Sequence, residues 1–122
     1  MRDRLRAYRG GRRAEAWAAW WLRLKGYRVL ARGFRLPVGE VDLIVRRGRV
    51  LAVVEVKQRP DFKAGMEAIT PRQRRRLARA AQTFQAQRPA LRDLRLRFDV
   101  VVALPRGRLR HIMDAWRPDS PA

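Results

Sequence analysis

Cysteine is missing from all 122 residues. That excludes disulfides, thiolate metal centres and cysteine nucleophiles. Histidine occurs once, at His111, so no pair of imidazoles is available to hold zinc. Serine also occurs once, as Ser120 near the end of a proline-rich tail, which argues strongly against a Ser-His-Asp triad. Neither G-x-x-x-x-G-K-[ST] nor G-x-G-x-x-G is present, so the glycine-rich loops that cradle nucleotide phosphates are absent. The longest apolar run, Ala16 to Leu22, falls well short of the ~20 residues that span a bilayer. Residues 1–14 are arginine-rich, with neither the apolar stretch of a signal peptide nor the serines of a transit peptide. The expectation is a cytoplasmic protein with no membrane association. Any chemistry must come from carboxylates, lysine, arginine and a hard metal ion.

What is abundant is positive charge. Thirty basic residues, 27 of them arginine, face 11 acids, giving a net charge of +19. A charge of that size opposes compaction of the isolated chain and suits a polyanionic partner. Nearly half the residues are hydrophobic, enough for one core in a chain of this length. We read one domain over residues 1–116, with 1–10 frayed or helical, a break at Gly10-Gly11, and a disordered tail at 117–122.

The periodicities give the element order α-βββ-α-ββ. A helix over 12–25 has Gly11, Ala14, Ala18, Trp21 and Leu22 on one face, with Glu15 at its edge. Strands follow at 27–36, 40–46 and 49–57, then a loop over 58–69. Thr70-Pro71 opens a second helix that runs to about Gln87, with Leu77, Ala80, Ala81 and Phe84 as its core stripe. Strands at 94–104 and near 108–114 complete an α/β chain of the α+β, mixed-sheet kind.

The strands at 40–46 and 49–57 form a hairpin. With Arg47-Gly48 as its two-residue turn, Glu40 faces Glu55 and Asp42 faces Val53. One face then carries Glu40, Asp42, Ile44, Leu51, Val53, Glu55 and Lys57. The other is wholly apolar, which puts the pair inside a sheet. Three carboxylates and an ammonium gather at its open end. Carboxylates this close repel unless a cation joins them. Mg²⁺ suits such a site, because it takes one or two carboxylates, waters and a substrate phosphate. Lys57 is placed to orient or deprotonate a water, or to offset charge on a phosphate. The same residues also suit an ion-pair cluster at a sheet edge, Glu55 with Lys57 and Asp42 with a nearby arginine.

Asp42 followed by Glu55-Val56-Lys57 resembles the PD-(D/E)xK nuclease signature. The wider pattern resembles the YraN family of predicted bacterial endonucleases, distantly similar to archaeal Holliday-junction resolvases. It is carried by Ala14-Glu15, Leu24-Lys25-Gly26-Tyr27, Gly39-Glu40-Val41-Asp42-Leu43-Ile44, Val54-Glu55-Val56-Lys57-Gln58-Arg59, Arg74-Arg75-Arg76-Leu77 and Arg97-Phe98-Asp99-Val100-Val101. The resemblance implies a restriction-endonuclease-like αβββαβ core, a central mixed sheet flanked by helices. It implies Asp42 and Glu55 as ligands of Mg²⁺ or Mn²⁺, Lys57 as the catalytic lysine, and Glu15 and Glu40 as further acids at the site. It also implies DNA as the substrate, of branched or structured form such as a recombination or repair intermediate. The related resolvases imply a homodimer. This chain has Ala14 where the family usually has glycine, and Gln73 where it usually has a lysine.

Arg72, Arg74, Arg75, Arg76 and Arg79 crowd the second helix with no acid among them. They form either a solvated face or a surface that tracks phosphates. Arg59 and Lys63, close to the hairpin in sequence, are further candidates to hold a phosphate. Asp99 is read as the ion partner of Arg97 or Arg95, on the polar side of its strand, and His111 as structural. Trp20 is an exposed ring. The alternative to a nuclease is a non-catalytic basic module that binds DNA or structured RNA and keeps a nuclease-like fold.

Overall fold

A computed structural model of the chain describes residues 2–37 and 39–117, with side chains from residue 11 onward. The expected tail lies, apart from Arg117, outside the described residues. The elements are α1 (Arg2–Leu24), β1 (Arg28–Leu36), β2 (Gly39–Arg47), β3 (Val50–Gln58), α2 (Phe62–Glu67), α3 (Pro71–Ala86), β4 (Arg95–Ala103) and β5 (Leu109–Ile112), with short 3₁₀ turns at Pro89–Leu91 and Pro105–Gly107. The strands form one sheet in sequence order. β3 and β4 run parallel, and every other neighbouring pair is antiparallel. The fold is a mixed α/β domain with a five-stranded mixed sheet flanked by helices. It matches the αβββαβ order of the restriction-endonuclease-like class.

Each helix covers one face of the sheet. Ala18, Ala19 and Leu22 of α1 pack on Leu43, Val45, Ala52, Val54 and Val101. Leu77, Ala80, Ala81 and Phe84 of α3 pack on Ile44, Leu51, Val53 and Phe98. The small residues of α1 let its backbone lie close to the strands. β3 is central and buried on both faces over Leu51–Glu55, as its apolar sequence requires.

Three local features differ from the sequence reading. α1 continues through Gly10 and Gly11, where a break was expected. Each glycine costs about 1 kcal/mol against alanine, but the flanking arginines and alanines are strong helix formers. A short helix, α2, interrupts the expected 58–69 loop. The Asp61 carboxylate caps it by accepting the Ala64 N–H at 2.8 Å. Asp99, expected on a polar side, is buried. β4 is buried on both faces from Phe98 to Ala103, which takes Asp99 into the interior.

The hairpin register also differs. Leu43 pairs with Val54 and Arg47 with Val50, so the turn is Gly48-Arg49 rather than Arg47-Gly48. Gly48 has φ +60 while Arg49 stays in the ordinary region, the pattern of a type II′ turn with glycine at its first central position. The resulting two-residue shift preserves side-chain parity. It brings Asp42, rather than Glu40, level with Glu55.

α2 presses Gly65 against β4. A Cβ there would lie 2.5 Å from both Val102 methyl carbons. Gly65→Ala should therefore destabilise the fold by about 1–3 kcal/mol through overpacking. A lowered urea midpoint at unchanged slope would show this. A wild-type midpoint would mean that α2 can lift off the sheet without loss.

Candidate active site

Beyond Leu43 and Val54, regular pairing between β2 and β3 ends. β3 continues beside β4 as far as Gln58–Ala103, so its β2-facing edge would be left with an unmatched amide. The Val56 N–H donates instead to Asp42 Oδ2 at 2.9 Å. A side chain thus completes the ladder, because a backbone donor in the sheet interior needs an acceptor. This bond fixes the orientation of the Asp42 carboxylate and occupies one of its oxygens.

The faces of β2 switch at this point. Val41 joins Ile44 in the cluster under α3, while Leu43 and Val45 belong under α1. Strict alternation would keep Val41 with Leu43. The cause lies across the ladder. Gly33, with φ +58, sits between the Arg32–Leu43 and Phe34–Val41 pairs, opposite Asp42. The single face expected for Glu40, Asp42 and Ile44 is therefore broken at Asp42.

The switch brings acids together from three elements. Glu40 Oε1 and Glu15 Oε1 both reach over Gly33, lying 3.3 and 3.8 Å from where a Cβ would stand. Glu40 is exposed and ion-pairs with Arg35 at 3.6 Å, and Glu15 approaches Arg32 at 4.0 Å. Glu55 is buried, only 7% exposed. Its burial holds its carboxyl well above the usual carboxylate range. The neighbouring Asp42 carboxylate adds to this, and Lys57 only partly offsets it. Glu15 is also raised, by burial first and by Asp42 next. Glu40, Glu55 and Lys57 border a cavity of about 260 Å³ closed from above by Gln73, Arg76 and Leu77 of α3.

A hard divalent cation fits the chemistry of this donor set. Asp42 and Glu55 meet side chain to side chain, Glu55 is a buried carboxyl that ionises unfavourably on its own, and every donor is oxygen. Among the described residues, no group of three histidines, cysteines or acids converges as a ready metal cage.

The arginines divide by helix phase. Gln73, Arg76, Leu77 and Ala80 border the cavity. At 100° per residue Arg72 and Arg79 flank Arg76, Arg74 lies on the opposite flank, and Arg75 points away. Of the five arginines expected on this helix, Arg76 is the one that borders the cavity, one residue before core Leu77. Gln73 closes a capping box with Thr70, its Oε1 accepting the Thr70 N–H at 3.0 Å. Arg59 lies in a separate groove on the α1 side. Lys63 is exposed on α2 and borders neither cavity.

Asp99 is treated in the opposite way. Its oxygens accept two bonds from Arg97 at 2.9 Å, one from His111 Nε2 at 2.8 Å and one from the Asp114 N–H at 3.0 Å. Burial raises its carboxyl, but these donors outweigh burial and hold it below the usual range. Arg97 is thus its partner and His111 has a structural role.

The raised Glu55 has a consequence for stability. A carboxyl raised in the fold stabilises while protonated, and the gain is lost as pH rises through its folded value. Glu55→Gln should therefore be more stable than wild type at neutral pH in metal-free buffer, with the difference closing in acid. Urea midpoints measured from about pH 4 to 8 would show the convergence. A variant less stable than wild type at neutral pH would mean that ionised Glu55 is well solvated.

The sequence matches the profile of the uncharacterised protein family UPF0102 over residues 14–103. It is 59% identical over 114 residues to a UPF0102 protein of Parvibaculum lavamentivorans, covering 93% of this chain and 86% of the relative. A UPF0102 protein of Caulobacter vibrioides is 54% identical over 108 residues, covering 87% and 85%. One from Paramagnetospirillum magneticum is 50% identical over 117 residues, covering 93% and 91%.

Proposed function

The chain belongs to the UPF0102 family, that of YraN, and we propose that it is a metal-dependent endonuclease acting on DNA in the cytoplasm. The observation that carries this reading is Glu55, buried against Asp42 and bordering, with Lys57 and Arg76, a cavity that Asp42 itself does not line. A buried acid held upward by its burial and by a neighbouring carboxylate, in a cleft and next to a cation, is a mark of functional sites.

Asp42 and Glu55 would hold Mg²⁺ or Mn²⁺. The ion, when bound, supplies Lewis acidity at the phosphate and lowers the pKa of a bound water. The Lys57 ammonium orients the attacking water and offsets charge that builds on the scissile phosphate. Glu15, held above the usual carboxylate range, is suited to take the proton that the water loses. Glu40 keeps the site anionic at its exposed edge. Arg72, Arg76 and Arg79 bind the flanking phosphates. No helix among the described residues is long and apolar enough to cross a membrane.

A second reading draws on the absence of a ready three-ligand cage among the described residues. In it, the protein binds nucleic acid without cutting and gains no stability from divalent metal.

Purified protein should cut at least one member of a panel of duplex, single-stranded, flapped and four-way-junction DNA, only with Mg²⁺ or Mn²⁺. Asp42→Asn, Glu55→Gln and Lys57→Ala should each lower the rate by about 10²-fold or more while DNA binding survives. Divalent metal should raise the melting temperature of wild type and much less that of Asp42→Asn. Cleavage by Asp42→Asn at the wild-type rate would point to a contaminant. Wild type that binds DNA yet neither binds metal nor cuts would leave the second reading.

The arginine assignment is tested separately. Replacing Arg72, Arg76 and Arg79 by Gln should reduce the log–log salt slope for duplex binding by about 0.9 per lost contact. An unchanged slope would mean that this face of α3 does not meet phosphate.

A further inference from the structure

On the α1 side of the sheet lies a groove of about 640 Å³, between α1, the end of β3 and the Pro105–Gly107 turn. Several of its lining residues are chain neighbours of the acid cluster. Arg13 and Ala14 line it just before Glu15, and Gln58 and Arg59 line it just after Lys57. Arg106 lines its far wall, and no lining residue is acidic. Arg106 is held at φ +66, in the left-handed region that disfavours side-chain-bearing residues. Its turn is anchored by the Trp17 indole, which donates to the Gly107 carbonyl at 2.8 Å.

Trp17 is nevertheless 45% exposed, and it stacks on Trp20, which is 52% exposed. The two indoles lie 9° from parallel with centroids 5.8 Å apart. Two open, parallel rings beside a groove of arginines are more than scattered surface aromatics. They make a platform on which flat rings stack, edged with cations that meet phosphates. Proteins that hold single-stranded nucleic acid combine these two elements, since every base offers a face to stack. A duplex cannot use the platform, because its bases are already stacked on one another.

We propose that this groove binds an unpaired nucleic-acid strand leading out of the active site, with bases stacked on Trp17 and Trp20 and phosphates on Arg13, Arg59 and Arg106. The inference deepens the nuclease reading and rests on it for the strand's origin. It makes the preferred substrate one with unpaired nucleotides beside the scissile phosphate, such as a flap or a single-stranded end. A second copy of the chain is a poorer occupant, because each copy carries +19 and the groove itself is cationic.

The test is binding in EDTA, where cleavage is absent. A short labelled oligothymidine and a duplex of equal length are titrated by fluorescence anisotropy. Trp20→Ala should lose about tenfold in affinity for the single strand and little for the duplex. Trp20→Phe should recover most of the loss, which a folding defect would not allow. Arg13→Gln and Arg59→Gln should each lower the single-strand salt slope by about 0.7. Wild-type single-strand affinity in Trp20→Ala, or equal losses for single strand and duplex, would overturn the proposal. So would a sedimentation mass that falls in Trp20→Ala while single-strand binding stays, which would make the stacked rings a contact between copies. Failure of wild type to cut any DNA would count against the nuclease reading alone, since this binding needs neither metal nor Asp42.

Discussion

Two carboxyl groups are forced together where β2 and β3 part, and much of the surrounding architecture follows from that contact. The II′ turn at Gly48 sets the register that brings Asp42 level with Glu55. The Val56 amide pins Asp42 in place, and the central sheet buries Glu55. Such a pair is neutralised by a proton or by a cation, and a proton suffices only below the raised pKa of Glu55. The cost falls on a domain whose total margin is of the order of 6–18 kcal/mol. The apolar faces under α1 and α3 offset it, so the sheet's burial and the site's strain belong to one balance.

Asp99 gives the comparison that separates structural from functional acids. It is as deeply buried as Glu55, yet it receives two bonds from Arg97, one from His111 and one from a backbone amide. Its charge is solved by the protein alone. Lys25 Nζ, 2.6 Å from His111 Nδ1, extends the same network toward the surface. Glu55 has no comparable set of donors. In a chain with 30 basic residues, a buried acid whose nearest strong influence is another acid is conspicuous. The proposed cation at Asp42 and Glu55 rests on that contrast.

The sequence carried the element order apart from α2, and the central position of β3, because hydrophobic alternation and helix period determine them. It did not carry offsets that local backbone geometry decides. Arg47-Gly48 and Gly48-Arg49 are both two-residue turns with a glycine, and they differ only in which central residue takes a positive φ. The resulting error was two residues, which preserves parity, so the cluster survived while its pairing changed. The face switch at Asp42 depends on Gly33, a residue in another strand with no distinguishing pattern around it. α2 is six residues long, too short for a period to emerge. Trp20 could be read as exposed, but the groove beside it depends on Trp17 meeting Gly107 ninety residues away.

Two of the backbone positions with positive φ stand at the acid cluster and at the groove. Gly33, in the left-handed region opposite Asp42, leaves room for Glu15 and Glu40 to converge. Arg106, the non-glycine residue with the larger positive φ among those described, stands on the far wall of the groove. A conformation of this kind costs about 1 kcal/mol or more and persists where its surroundings enforce it. At Arg106 they do so visibly. Trp17 holds the Gly107 carbonyl, and the Arg108 guanidinium donates to the Pro105 carbonyl at 3.3 Å. Both bonds are partly exposed and bring little burial with them, so core packing does not account for the turn. The Leu104 N–H also donates to the Arg108 carbonyl at 2.8 Å, closing the β4–β5 connection around Arg106 and leaving its side chain on the groove wall. Lys57 and Gln58, successive residues of β3, border the cavity under α3 and the groove on the α1 side respectively, so the end of this one strand contributes to both.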